Sequence, residues 1–326
     1  MISLIATVLN EGDSIRRLFD SIVAQTRPPD EVVIVDGGSI DDTVSVMRSY
    51  ADRLPLKLLV EEDCNISQGR NRAITEARGD IIAVTDAGVR LRDDWLEKIT
   101  DPLLANPQLI VVGGFFRADP QSPFEIALGA ATLPLEREID AAKFLPSSRS
   151  IAFRREVALQ VELYPEWLDF CEDLVFDLRL RRAAGTFAFE PTALVHFRPR
   201  STLRKYFRQY FLYARGDGKA DLWLRRHIIR YFTYLILLPA ILLAGASIHP
   251  LLWAFCLAGG IVYLWRPYRR LSTVIKRADS ESIGIWLYGI VMIPWLRVLG
   301  DIAKMIGYPL GRLWRFKHRL PSWRAD

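Results

Sequence analysis

Four times before residue 105 the chain repeats one pattern: an apolar run too short for a helix, a polar turn, then apolar positions at helical spacing. The runs are residues 2–8, 32–35, 56–60 and 81–85, and the helical stretches are 13–25, 43–50, 67–77 and 93–104. Short β-branched runs suit strands covered on both faces. Alternation of this kind predicts parallel strands joined by right-handed crossovers, hence an α/β chain with a mostly parallel central sheet and helices on both faces. Open sheets of that class bind ligands at the carboxyl edge of their strands. Two runs end there in a carboxylate, Asp36 and Asp86. Behind Asp36 come Gly37, Gly38 and Ser39, which let a ligand approach the backbone, and then the acidic helix start Asp41-Asp42-Thr43. A turn-forming, capping Asp explains the same residues.

Past residue 105 the pattern loosens. Residues 109–112 read as a strand with Gly113-Gly114 as its turn, 120–146 as a partly helical excursion, and 150–153 as a short strand. Glu172-Asp173 opens an amphipathic helix closed by Gly185. Short strands at 186–189 and 193–197 follow, the second carrying His196.

Half of the residues are hydrophobic and the mean hydropathy is +0.11, an excess concentrated near the end of the chain. Residues 231–265 contain no Asp, Glu, Lys or Arg. As one helix they would reach about 52 Å, too long for a hydrocarbon core of ~30 Å. A break at His249-Pro250 divides them into a hairpin of two spans. Arg225, Arg226 and Arg230 precede it and Arg266, Arg269 and Arg270 follow, so both flanks are expected in the cytosol. A third apolar segment, about 283–309, leads to Arg312, Arg315, Lys317 and Arg319. A full crossing would put that basic tail outside, so a re-entrant or interfacial segment is expected, with a full crossing as its rival. Buried helices of a soluble domain are the plainer alternative. The net charge of +5 lies mostly after Arg198, beside the apolar segments, which favours an anionic membrane surface over nucleic acid. Cys64, Cys171 and Cys256 have no paired spacing, which argues against a disulfide framework or a zinc site.

In order, Thr7-Val8-Leu9-Asn10-Glu11, Asp36-Gly37-Gly38-Ser39-Ile40-Asp41-Asp42-Thr43, Gly69-Arg70-Asn71, Asp86-Ala87-Gly88, and Glu172-Asp173 with Arg179-Leu180 resemble glycosyltransferase family 2. These are inverting nucleotide-sugar enzymes of GT-A fold, and the resemblance covers residues 2–216. It implies that Asp36 reads the nucleotide base in a pocket shared with Thr7, Asn10, Glu11 and Gly38, and that Arg70 contacts the donor phosphates. Asp86 stands where the family looks like Asp-x-Asp, the pair that holds Mg²⁺ or Mn²⁺ on the diphosphate, but Gly88 replaces the second carboxylate. His196 stands where such enzymes often place a late histidine ligand. Asp173 would be the general base, assisted by Glu172, although both residues also suit the positive end of the following helix. Arg208 and Arg215 loosely match the Gln-x-x-Arg-Trp segment that closes over the diphosphate in membrane-bound members. On a solvated helix, Arg70 and these arginines need no such role.

The expectation is a GT-A domain at 1–220 and a membrane-anchoring helical region at 221–326. It would be a hexosyltransferase-type enzyme of the inner or plasma membrane, with its catalytic domain cytosolic. It would use a UDP- or GDP-sugar and glycosylate a lipid-linked or glycan acceptor for the cell envelope. The rivals are a processive polysaccharide synthase and a nucleotide-sugar-binding scaffold without catalysis.

Overall fold

The computed structural model describes residues 1–185 and 187–318. Thr186, expected to open a strand, and Arg319, counted in the basic tail, lie outside the described residues. By internal contacts the chain separates into two compact units, Met1–Arg117 with Leu135–Arg198, and Ala118–Pro134 with Pro199 onward. Composition had suggested a single cut near residue 220. The cut in space falls earlier, and an excursion near residue 120 joins the second unit.

The first unit opens with β1 (Ile2–Val8), α1 (Ile15–Val23), β2 (Glu31–Asp36), α2 (Thr43–Arg48), β3 (Leu56–Val60), α3 (Ile66–Glu76) and β4 (Ile81–Val84). The neighbours β3-β2-β1-β4 are all parallel, as the alternation predicts. Leu4, Ala6, Val32 and Ile34 face one buried layer, while Ile5, Val33 and Val35 face the other. That division follows from the period-two alternation of strand side chains.

Then come β5 (Val89–Leu91), α4 (Trp95–Ala105), β6 (Val111–Ala118), α5 (Pro123–Thr132), β7 (Ile151–Arg154), α6 (Arg155–Gln160), α7 (Glu172–Ala184) and β8 (Ala188–Phe197). One eight-stranded sheet results, in the order β3-β2-β1-β4-β7-β6-β8-β5. The parallel arrangement stops at β4, because β7 runs antiparallel to both β4 and β6, and β5 antiparallel to β8. The sheet is therefore mixed, with β3-β2-β1-β4 as its parallel part. Gly113-Gly114 is also not a turn, since β6 runs straight through it. A side chain on Gly114 would collide with Ser150 Oγ and the Ala193 carbonyl, so the glycines allow neighbouring strands to close up.

The second unit holds α8 (Leu203–Lys219), α9 (Leu224–Phe232), α10 (Leu238–Ser247), α11 (Trp253–Arg277) and α12 (Ile283–His318), of which α8, α11 and α12 pack with α5. Ile126, Ala130, Tyr206, Leu271, Ile275, Ile293 and Leu296 form their core. α8 lies so close to α12 that a Cβ on Gly307 or Gly311 would overlap the backbone at Phe211 or Arg215, the kind of contact only glycine permits. Asp301 of α12 accepts from Arg230 Nε at 2.8 Å and Tyr263 Oη at 2.6 Å, tying three helices together. Two stretches are long and apolar enough to cross a membrane, by length and composition only: Leu224–Ser247 and Ile283–His318. The first matches the leading arm of the expected hairpin. Its second arm, in α11, is not among them, because the helix runs on into Arg266, Arg269, Arg270, Lys276 and Arg277. The segment expected to be re-entrant or interfacial lies within one 36-residue helix, Ile283–His318.

Candidate active site

The parallel strands deliver their loops to one edge, and backbone pairing sets the heights: Val8 stands beside Asp36, and Asp36 beside Val60. The loops after β1 and β2 are laced together. Asn10 donates its N–H to Ser39 Oγ at 2.8 Å, and its Oδ1 accepts from Ile40 N at 3.0 Å. Thr43 Oγ1 accepts from Glu11 N and Gly12 N at 2.9 and 2.8 Å. Gly38 has φ +91°, and a Cβ there would lie 3.1 Å from the Glu62 Cα. This residue must be glycine for the loop to turn beside the end of β3.

Asp36 is fully buried. Its Oδ1 accepts from Gly38 N at 3.0 Å and Ser39 N at 2.7 Å, and its Oδ2 from Ser39 Oγ at 2.6 Å. Both the turn reading and the placement at the strand edge therefore hold, and the carboxylate itself is spent inside its own loop.

Two strands away, Arg70 joins what the sequence keeps far apart. Asn65 caps α3 reciprocally with Gln68. One turn on, Gly69 lies against Thr7, and a Cβ at residue 69 would come within 2.7 Å of Thr7 Cγ2. Arg70 is 2% exposed, and donates through Nη1 to Glu172 Oε1 and through Nη2 to Asp86 Oδ1, each at 2.7 Å. Its guanidinium lies 5.1 Å from the centroid of the buried Tyr164 ring. Asn71 holds the Tyr164 backbone from both sides, as donor and acceptor at 2.9 Å. The Gly69-Arg70-Asn71 motif is thus a strap between α3 and the segment leading into α7.

That segment ends in Cys171, whose φ of +65° is the left-handed region, rare for a residue with a side chain. The turn delivers Glu172 and Asp173 as the first residues of α7, at the positive end of its dipole. Glu172 is buried; burial, then the charge of Asp173, raise its carboxyl to about 7 against the pull of Arg70. Burial also raises Asp173, with Arg70 and Arg149 opposing. Asp86 moves the other way: burial works against its charge, but Arg70 and Arg149 outweigh it and hold the carboxyl below its ordinary value. One edge therefore carries a firmly ionised carboxylate beside a pair that clings to a proton.

Two participants were not among the residues expected from the sequence. Arg149 sits in the irregular stretch before β7, with its Nε 3.4 Å from Asp86 Oδ2. Its guanidinium rests on Phe197 at 4.5 Å and Phe116 at 5.6 Å, and its carbonyl accepts from Thr85 Oγ1 at 3.0 Å. Asp177, one turn below Asp173, is buried; desolvation and then the Asp173 charge push it well above the carboxylate range. Spacing on α7 could have flagged Asp177. Nothing periodic marks Arg149.

Other expected residues stand elsewhere. Asn10 is exposed at the loop tip, and Thr7 and Glu11 are half-buried. Arg208 and Arg215 are on α8, in the second unit. His196 pairs with Arg90 across β5 and β8. Strand alternation turns it away from the face of Phe197, on which Arg149 rests. Among the described residues no group of three or more His, Cys, Asp and Glu side chains could hold a metal ion. Asp86 already meets a guanidinium at each oxygen, and Gly88 offers no carboxylate. The described side chains therefore do not gather into a metal centre built by the protein alone.

A family model described as Glycosyl transferase family 2 matches residues 3–153. Glycosyltransferase AglE of Haloferax volcanii is 32% identical over 319 residues, 95% of this chain and 96% of its own length. The chain belongs to glycosyl transferase family 2. Other family relatives align over less: the matched part spans 25% of the uncharacterized glycosyltransferase YibD of Escherichia coli and 28% of a validoxylamine A glucosyltransferase of Streptomyces hygroscopicus. Among solved structures the mannosyltransferase PcManGT of Pyrobaculum calidifontis, in complex with GDP-Man and Mn²⁺, superposes with a TM-score of 0.58 at 19% identity. That alignment covers 96% of this chain and 87% of the other. The S. aureus TarS 1–349 fragment in complex with UDP gives 0.52 at 17% identity, over 98% and 91%. These two likenesses establish the fold of this family 2 chain, the GT-A type that its motifs imply.

Proposed function

We propose that this family 2 chain moves a sugar from a nucleoside diphosphate donor to an acceptor hydroxyl, with inversion at the anomeric carbon. The observation that supports this most is Arg70, which holds Asp86 and Glu172 at 2.7 Å each although they are 86 residues apart (172 − 86). On this reading the loops 7–11 and 36–39 receive the base and ribose. Asp36 shapes that pocket through Gly38 and Ser39. Arg70, enclosed between carboxylates, acts as a positioning residue for Asp86 and Glu172 instead of touching phosphate. Asp173, with Glu172 beside it, takes the acceptor proton. A raised carboxyl is the stronger base once ionised, so burial suits the task.

The acceptor is read as lipid-linked and the catalytic unit as cytosolic. The support is the pair of apolar helices and side chains such as Leu243, Leu257, Val262 and Trp295, each more than half exposed. Apolar surface of this extent calls for a membrane or partner.

The test begins with thermal shifts of the full chain against a panel of UDP- and GDP-sugars, since ligands that bind only the folded state stabilise it. Transfer to a polyprenyl-phosphate acceptor is then assayed. Asp173→Asn should keep the donor-induced shift and lose about 10²–10⁴-fold in turnover. Full activity in that variant would reject the base assignment, and transfer to soluble glycans alone would reject the lipid-linked acceptor.

A further inference from the structure

The departure at Gly88 leaves a physical requirement unmet. When the donor reacts, the bond from the anomeric carbon to the diphosphate oxygen breaks and its electron pair stays on the diphosphate. The new bond forms from the acceptor oxygen, whose proton passes to the Glu172–Asp173 pair. The leaving diphosphate gains negative charge, and something positive must face it. A second carboxylate that would bring a cation is missing, and Asp86 is already matched by two guanidinium groups.

Of those two, Arg70 is enclosed, whereas Arg149 keeps about a fifth of its side chain exposed. Its position is built and not incidental. Two aromatic faces support the planar guanidinium, Ser147 Oγ accepts from its Nη1 at 2.9 Å, and Thr85, next to Asp86, holds its carbonyl. A planar fork stacked in this way loses little freedom on binding a phosphate, and its charge does not depend on pH. The charge of Arg149 also opposes the rise that burial gives the Asp173 carboxyl.

We propose that Arg149 is a catalytic residue that faces the donor diphosphate and neutralises it as it leaves, so that transfer by this chain needs no divalent cation. The proposal rests on the reading of the site given above. It assigns to Gly88 a matching role: with no atom within 4 Å of a would-be Cβ, the position is open enough to admit the diphosphate.

The experiment measures turnover and binding of UDP and GDP by the full chain, in EDTA and in Mn²⁺. Turnover in EDTA is expected within about twofold of that in Mn²⁺. Arg149→Ala should lose about 10²–10³-fold in turnover and bind the nucleoside diphosphate at least about tenfold more weakly, in EDTA and Mn²⁺ alike. Arg149→Lys, which keeps the charge but not the stacked fork, should fall between, and decides the matter if the alanine variant does not fold. Loss of turnover in EDTA with recovery in Mn²⁺, or unchanged UDP and GDP binding by both Arg149 variants, would overturn the proposal. Asp173→Asn separates the two levels: if it is inactive while the parent depends on Mn²⁺, only the role of Arg149 fails. If the parent binds neither nucleotide, the reading of the site fails with it.

Discussion

Gly88 and Gly311 are the same residue in opposite surroundings. At the sheet edge, a side chain on Gly88 would meet nothing within 4 Å, and charged groups gather around the neighbouring Asp86. On α12, a side chain on Gly311 would strike the backbone at Arg215 and Lys219. The first unit turns apolar side chains inward and gathers Arg70, Glu172 and Asp86 at one rim. The second holds its helices together through close backbone approach and turns much of its apolar surface outward. At Gly88 glycine leaves open space, and at Gly311 it lets two helices close up.

The largest test of this contrast is Arg70→Met. It leaves the buried Glu172 without its counter-ion and Asp86 with Arg149 alone, and loss of one partner from such a site typically costs about 3–5 kcal/mol. Denaturant unfolding followed by tryptophan fluorescence should show that loss, and an unchanged midpoint would mean that the strap carries no load. Next comes pH. The pair must be ionised to accept a proton, and burial raises it, Glu172 to about 7. The rate should therefore fall about tenfold per pH unit below that value and level off above it. A profile flat from pH 5 to 8 would assign the base elsewhere. Gly311→Val should separate α8 from α12 and lower stability by about 1–3 kcal/mol or more, as overpacking does. Gly88→Ala is the smallest, within about 0.5 kcal/mol of the parent by the same unfolding measurement. A larger loss would show that the open space at the rim is not open.

Much of the first unit could be read directly from the chain. The four apolar runs became β1 to β4, because short β-branched runs separated by helical spacing have few other ways to bury both faces. Asp36 and Asp86 stood at strand ends for the same reason. Other parts gave no such signal. β5 is only three residues long, too short to show alternation. Gly113-Gly114 looked like a turn because glycine breaks local pattern, whereas here it answers a crowding between strands. α12 continues through Pro294 and Pro309 without a break.

The amino-acid sequence by itself determined the parallel half of the sheet, the edge at which chemistry can occur, and the stretches too apolar to be ordinary surface, since each depends on patterns a few residues long. Only the tertiary structure decided which charges meet. Arg70 with Glu172 and Arg149 with Asp86 are joined across 102 and 63 positions (172 − 70 and 149 − 86), and no local period encodes such a pairing. It also decided that Asp36 is satisfied inside its own turn and that Asp173 is a carboxyl held back from ionising. Burial and neighbouring charge set the proton affinity of a side chain, and both are properties of the assembled fold.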